Sequence, residues 1–285
     1  MQAGYRVLLP EHRTTSVVFA SPHSGRDYPA AMMRRTVLSE RSIRSSEDAF
    51  VDLLFEDAPA RGAPMILADV PRAYVDLNRS AEELDPALIE GVRRGAHNPR
   101  VSSGLGVIPR VVANGRTIYR GKLTRADAEA RLNAHWHPYH RALAELLTES
   151  RRVFGEAILI DCHSMPHEAL DAVVHPNGLR PEIVLGDRFG ASASAEIVDR
   201  LEAAFVDAGL VVVRNAPFAG AYSTQCYGRP GQNQHVIQVE IDRALYMNET
   251  TVRPNAGFAE LRARLSGIIA EVCDIGRRDL PLAAE

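Results

Sequence analysis

Short apolar runs alternate with longer amphipathic stretches along most of the chain. Residues 17–20, 65–69, 157–160, 183–186, 210–214 and 235–241 are apolar runs bounded by polar or turn residues. Runs of that length without polar alternation predict strands buried on both faces. Residues 73–77 are predicted as a further strand. Apolar positions at helical spacing predict helices over 46–55, 124–154, 192–208 and 256–272. Ser46 is a suitable cap for the first, with acids following in its opening turn. The second ends at Gly155 and carries Pro138, which predicts a kink. The third stops at Gly209. Strand and helix alternate throughout, so the expected class is α/β with a mostly parallel or mixed sheet.

No repeat or low-complexity linker divides the chain, and residues 1–285 read as one domain. Residues 1–13 are expected as a surface arm, 21–29 as a loop, and 217–234 as a second loop region. Residues 82–118 are irregular and rich in glycine and proline, the pattern of a lid or substrate loop.

Composition narrows the function without choosing it. Hydrophobic residues make up 46% of the chain, enough for a sizeable core, and the formal net charge is -3. No basic excess points to nucleic acid. No apolar run reaches the ~18 residues of a membrane span. Three cysteines without a close pair fit a reducing compartment better than a disulfide framework. No signal-peptide pattern opens the chain, so a cytoplasmic location is expected.

The first and third of the long apolar runs each lead into a histidine followed by serine: His23 after 17–20, His163 after 157–160. A loop histidine is often only a hydrogen-bonding residue. Two at matching strand ends, which open on the ligand crevice of an α/β sheet, could share a metal ion. Asp161 is placed to orient His163 or to cap the following turn. A catalytic zinc site takes three protein ligands, so a third is needed, and Glu47 and Asp48 are on offer. Glu240 lies inside an apolar strand, where a carboxylate either faces solvent at an edge or serves a cleft as general base. Arg79, with Asn78, ends the 73–77 run and offers a fork for a carboxylate, or a surface ion pair. Ser223 and Thr224 close a small-residue loop suited to close approach of a substrate. His135, His137 and His140 sit among aromatics inside a helix, which suggests packing. Cys162 beside His163 is a poor nucleophile–base pair, because neighbouring strand residues point to opposite faces.

Several motifs in order resemble the N-formylglutamate amidohydrolase family. They are Pro22-His23-Ser24-Gly25, Glu47-Asp48 with Val51-Asp52, Tyr74-Val75-Asp76-Leu77-Asn78-Arg79, Asp161-Cys162-His163-Ser164-Met165-Pro166, and Gln238-Val239-Glu240-Ile241 with Leu245-Tyr246-Met247-Asn248-Glu249. The resemblance implies a three-layer αβα fold with a central mixed sheet, related to zinc carboxypeptidases. It implies a Zn2+ cofactor held by His23, Asp48 and His163, with Glu240 as general base. It also implies that Arg79 and Asn78 grip a substrate carboxylate, that Arg72 aids the oxyanion, and that the partner is a small N-acyl amino acid, foremost N-formyl-L-glutamate. Two departures stand out. Arg26 occupies the place three after His23 where carboxypeptidases put an acid, and Gln225-Cys226 follows the small-residue loop where an Arg-His pair is expected. The competing expectations are metal-free acyl transfer through Cys162 and an acidic-ligand binding protein without catalysis.

Overall fold

The computed structural model describes residues 4–93, 97–173 and 178–277. Seven strands form one mixed sheet: β1 (Tyr5–Leu8), β2 (Val17–Ser21), β3 (Met65–Ala68), β4 (Ala157–Met165), β5 (Ile183–Gly186), β6 (Val212–Arg214) and β7 (Gln234–Asp242). Their spatial order is β1-β3-β2-β4-β7-β5-β6. The inner strands β3, β2, β4 and β7 run parallel. β1 joins one edge antiparallel to β3, and β5 runs antiparallel to β7 while pairing in parallel with β6.

Helices cover both faces of the sheet, giving the three layers. On one face, Leu201 and Phe205 of helix Ala195–Asp207 and Leu265 and Ile269 of helix Phe258–Ile275 pack on Ile158, Ile160, Cys162, Ile237 and Val239. On the other, Tyr139, Leu143 and Leu147 of helix His137–Phe154 pack on Val18, Leu159 and Val236. Side chains alternate between faces along a strand. On this second face the alternation turns from apolar to polar partway along the two central strands. Leu159 is followed by Asp161 and His163, and Val236 by Gln238 and Glu240. The parallel register sets Asp161 beside Gln238 and His163 beside Glu240.

Several expected elements differ. The 1–13 arm contributes β1, so it is a sheet edge as well as a surface segment. The 46–55 helix reduces to Val51–Leu54, preceded by Phe50 at φ 68°. Glu47 and Asp48 therefore lie on the bend before the helix, and Asp48 N–H donates to the His23 carbonyl at 3.1 Å. Residues 73–77 form a turn, not a strand. Tyr74 and Val75 N–H both donate to Pro71 O, and Asp76 N–H donates to Val107 O. β4 runs past Ile160 to Met165, so His163 is inside the strand. The 217–234 loop contains a short helix, Tyr222–Tyr227.

The 124–154 helix is interrupted as Pro138 suggests, by a π-helical segment at Leu132–Trp136. Proline lacks the N–H that a regular turn would use there, and a π-bulge absorbs the mismatch. Successive side chains around the bulge hold the 74–79 loop by its carbonyls. Arg131 donates to Tyr74 O (3.0 Å), Trp136 Nε1 to Arg79 O (2.9 Å) and His140 Nε2 to Leu77 O (2.9 Å). The histidine cluster of this helix is thus structural where it is best defined, at His140, which also stacks against Tyr227.

Candidate active site

His23, Asp48 and His163 come together from three separate segments. His23 follows β2, Asp48 sits on the bend before Val51–Leu54, and His163 lies in β4. One ligand atom from each lies within 4.8 Å of the other two, and all three residues are buried. Asp48 Oδ2 stands 2.9 Å from His163 Nδ1 and 3.3 Å from His23 Nδ1. Its other oxygen accepts from Arg243 Nη2 at 3.0 Å. Glu47 turns elsewhere, to Arg44 at 3.0 Å and the Tyr28 hydroxyl at 2.6 Å.

The far side of each imidazole meets a carboxylate. His23 Nε2–H donates to Asp76 Oδ1 at 2.6 Å, and His163 Nε2 lies 3.1 Å from Asp161 Oδ2. A carboxylate behind a ring nitrogen fixes the tautomer, and at His23 that leaves Nδ1 for a metal. His23 Nδ1 is buried and has no hydrogen-bond partner among the described residues. A buried polar atom left unpaired is costly, and a cation would satisfy it. Burial alone would lower the pKa of His163, but Asp161, Asp48 and Glu240 hold it well above the usual range. Burial would raise the Asp48 and Asp76 carboxyls, yet hydrogen bonds and charge from the histidines and Arg72 keep both well below theirs. Asp48, Asp76 and Glu240 face the cations Arg72 and Arg243, and Asp161 lies behind His163. That is an excess of negative charge suited to a divalent ion. The donor set fits zinc.

Glu240 stands beside His163 on β7 and accepts from Gln238 Nε2 at 2.8 Å. Burial, with help from Asp48, pushes its carboxyl up to about 7 against the pull of His163, Arg72 and Arg243. Arg72 Nη2 donates to Asp76 at 2.9 Å, and its Nη1 lies 3.8 Å from Asp48 Oδ1.

Asn78 connects the site to its surroundings. Its amide nitrogen donates to Asp161 Oδ2 (3.0 Å), and its oxygen accepts from Ser223 N–H (2.8 Å) and Oγ–H (3.0 Å). The Ser223 hydroxyl thus turns to Asn78, and that of Thr224 donates to Ala221 O at 2.8 Å. Arg79 donates only to the carbonyls of Leu105 (3.2 Å) and Asn78 (3.3 Å) and has no carboxylate partner among the described residues. It lines a cavity of about 1390 Å³ that also reaches Ala221, Tyr222 and Gln225. Cys162 points the other way, into the core, and burial raises its thiol well above the ordinary range. The thiol reading therefore has no support in the geometry.

Asp76, Gln238 and Arg243 were not singled out from the sequence as site residues. Asp76 lies in the quoted 74–79 motif, and Gln238 sits one strand period before Glu240. Arg243 carried no signal, because its role depends on the chain turning back at the end of β7.

A mixed α/β sheet with a buried His-Asp-His set and a carboxylate beside it defines a hydrolase-type centre. The pattern of the family described as N-formylglutamate amidohydrolase matches residues 15–247. An N-formylglutamate deformylase of Pseudomonas aeruginosa is 30% identical over 262 residues, covering 90% of this chain and 91% of that one. One from Pseudomonas putida is 29% identical, covering 82% of each chain. A crystal structure of N-formylglutamate amidohydrolase from Ralstonia eutropha JMP134 superposes with a TM-score of 0.89 at 34% identity, covering 96% of this chain and 98% of that one. The chain belongs to the N-formylglutamate amidohydrolase family, hydrolases acting on a linear amide. Among the described residues no helix is long and apolar enough to cross a membrane.

Proposed function

We propose that the protein is a zinc-dependent amidohydrolase of N-acyl amino acids, with N-formyl-L-glutamate the reference substrate, cleaved to L-glutamate and formate. The observation that carries this reading is the convergence of His23 Nδ1, His163 Nδ1 and Asp48 Oδ2, each backed by a partner that orients it. Bound there, zinc would polarise the amide carbonyl and make water acidic enough to attack at neutral pH.

The chain's own residues do the rest. Glu240 takes the proton of the attacking water and returns it to the departing nitrogen. Its raised pKa suits both halves of that exchange. Water oxygen bonds to the acyl carbon, the C–N bond breaks, and an amine and a carboxylic acid leave. Arg72, anchored on Asp76, supplies positive charge beside the developing oxyanion. Arg79 binds the carboxylate of the amino-acid half through its fork. Asn78 and Ser223 hold Asp161, and through it His163. Residues 82–87 and 97–102 line one wall of the cavity and serve as the substrate loop.

The test is hydrolysis of a panel of N-formyl and other N-acyl amino acids by protein stripped of metal and then reloaded with zinc. Activity should vanish on stripping and return with zinc. Glu240→Gln should keep its zinc and lose about 10²–10⁴ in kcat. Parental turnover by a zinc-loaded Glu240→Gln protein would make Glu240 structural only, and full activity of stripped protein would reject the metal.

A further inference from the structure

The cavity that Arg79 lines is larger than one amino acid needs. Its volume of about 1390 Å³ exceeds the ~300–1,000 Å³ of an ordinary small-molecule pocket. Besides Arg79, the guanidinium groups of Arg93, Arg100, Arg110 and Arg188 line it, together with the Lys122 ammonium. Arg93, Arg100 and Arg188 have no carboxylate partner among the described residues, whereas Arg110 in the same wall is neutralised by Asp85 at 2.8 Å. The remaining acids of the wall are Glu82 and Glu83. Arg100 is close enough to Arg79 for the two positive charges to oppose each other. Like charges gathered without partners are unfavourable unless a ligand neutralises them.

Arg188 is also held in place at a cost. Arg188 and Phe189 follow β5 with φ 54° and 56°, a conformation side chains rarely take. The bend is pinned by Asn215, whose Oδ1 accepts from Asp187 N–H (3.1 Å) and Phe189 N–H (3.3 Å). Arg188 N–H donates to Ala219 O at 2.8 Å. Strained backbone over-determined by its surroundings is characteristic of ligand clamps. Gly186 permits the close approach: a Cβ there would stand 2.8 Å from Ala219 C and Gly220 N.

We infer that Arg100 and Arg188 form a carboxylate-binding station beyond those that the two carboxylates of a single N-acyl glutamate occupy, and that the amine half of the preferred substrate is longer than one residue and brings a third carboxylate to it. An N-acylated acidic dipeptide is the simplest molecule of this class. This inference rests on the amide-hydrolase reading above. Hydrolysis would proceed as for the single amino acid, with water oxygen joining the acyl carbon, the C–N bond breaking and the proton passing to the dipeptide nitrogen.

The experiment compares kcat/KM for N-formyl-L-glutamyl-L-glutamate and N-formyl-L-glutamate with the zinc-loaded enzyme and its Arg100→Gln and Arg188→Gln variants. The dipeptide should be favoured at least about 10-fold, and each variant should cut the ratio by about 10- to 100-fold, the worth of a charge-assisted hydrogen bond. A ratio at or below one in the parent, or a ratio that neither variant moves, overturns the inference. If no amide is hydrolysed, the amidohydrolase reading fails by itself, and calorimetry with L-glutamyl-L-glutamate decides the station. Binding weakened about 10- to 100-fold in both variants supports it. No binding, or equal binding by all three proteins, rejects it.

Discussion

At the scale of single residues, the partners behind the imidazoles are as informative as the imidazoles. Asp76 accepts from His23 Nε2 and also from Arg72, so one carboxylate orients the imidazole of the proposed metal set and anchors a cation. Asp76→Asn should weaken zinc affinity by about 10- to 100-fold, measured by competition with a chelating dye. Unchanged affinity would mean that His23 needs no orienting partner. Arg79 is proposed for a separate task, gripping the substrate carboxylate. Arg79→Lys keeps the charge but loses the planar fork, and should lower kcat/KM for an N-acyl amino acid by about 10- to 100-fold. The corresponding amide of the same compound should be affected far less. Equal losses on both would remove Arg79 from the carboxylate role.

At the scale of elements, the helix His137–Phe154 and the 74–79 loop act as one unit. His140 joins them, donating from Nε2 to Leu77 O and accepting at Nδ1 from the Tyr227 hydroxyl. Burial pushes its pKa down to about 4 from an ordinary value of 6.5. Between those values the unfolded chain binds a proton that the folded one refuses. Stability contributed by neutral His140 is therefore full above about pH 6.5 and is lost as pH falls through 6.5 toward 4. A separation of that size is worth on the order of 3 kcal/mol. Urea denaturation at a series of pH values should show the loss, and His140→Gln should flatten it. An unaltered pH profile in the variant would place the acid sensitivity elsewhere.

The same unit marks where sequence reasoning worked and where it stopped. Continuous apolar runs made the inner strands legible, because burial on both faces leaves no other pattern. Pro138 signalled the interruption in the long helix. Val75 and Leu77 read as strand because both are buried, but they are buried under Trp136 and His140 rather than in the sheet. The arm at Tyr5–Leu8 gave little apolar signal because it is a half-exposed edge strand. The bend carrying Asp48 was misread as a first helical turn. Its carboxylate is drawn to His163 and Arg243, and backbone propensity does not record that attraction.

At the scale of the whole molecule, the sheet topology makes the site. β2 and β7 flank β4 in parallel. His23 leaves the end of β2, His163 sits near the end of β4, and Glu240 is its register partner on β7. The matching strand-end histidines were visible in the sequence, and so was an acid in an apolar strand. The network behind them was less so, since Arg243 and Asp48 are brought together only by folding. Such a centre gathers more carboxylates than cations. Zinc should therefore raise the melting temperature, with about 2.7 kcal/mol gained when free zinc stands at 100 times its Kd. His163→Ala should abolish that rise, and a rise that survives in the variant would point to zinc bound elsewhere.

The most direct measurement is X-ray diffraction from zinc-loaded crystals, with anomalous data collected on either side of the zinc absorption edge. One zinc peak is expected ~2.0–2.2 Å from His23 Nδ1, His163 Nδ1 and an oxygen of Asp48, with Glu240 beside it and not coordinating. A peak at another cluster, or none among these three residues in crystals holding zinc elsewhere, would contradict a metal-centred amidohydrolase.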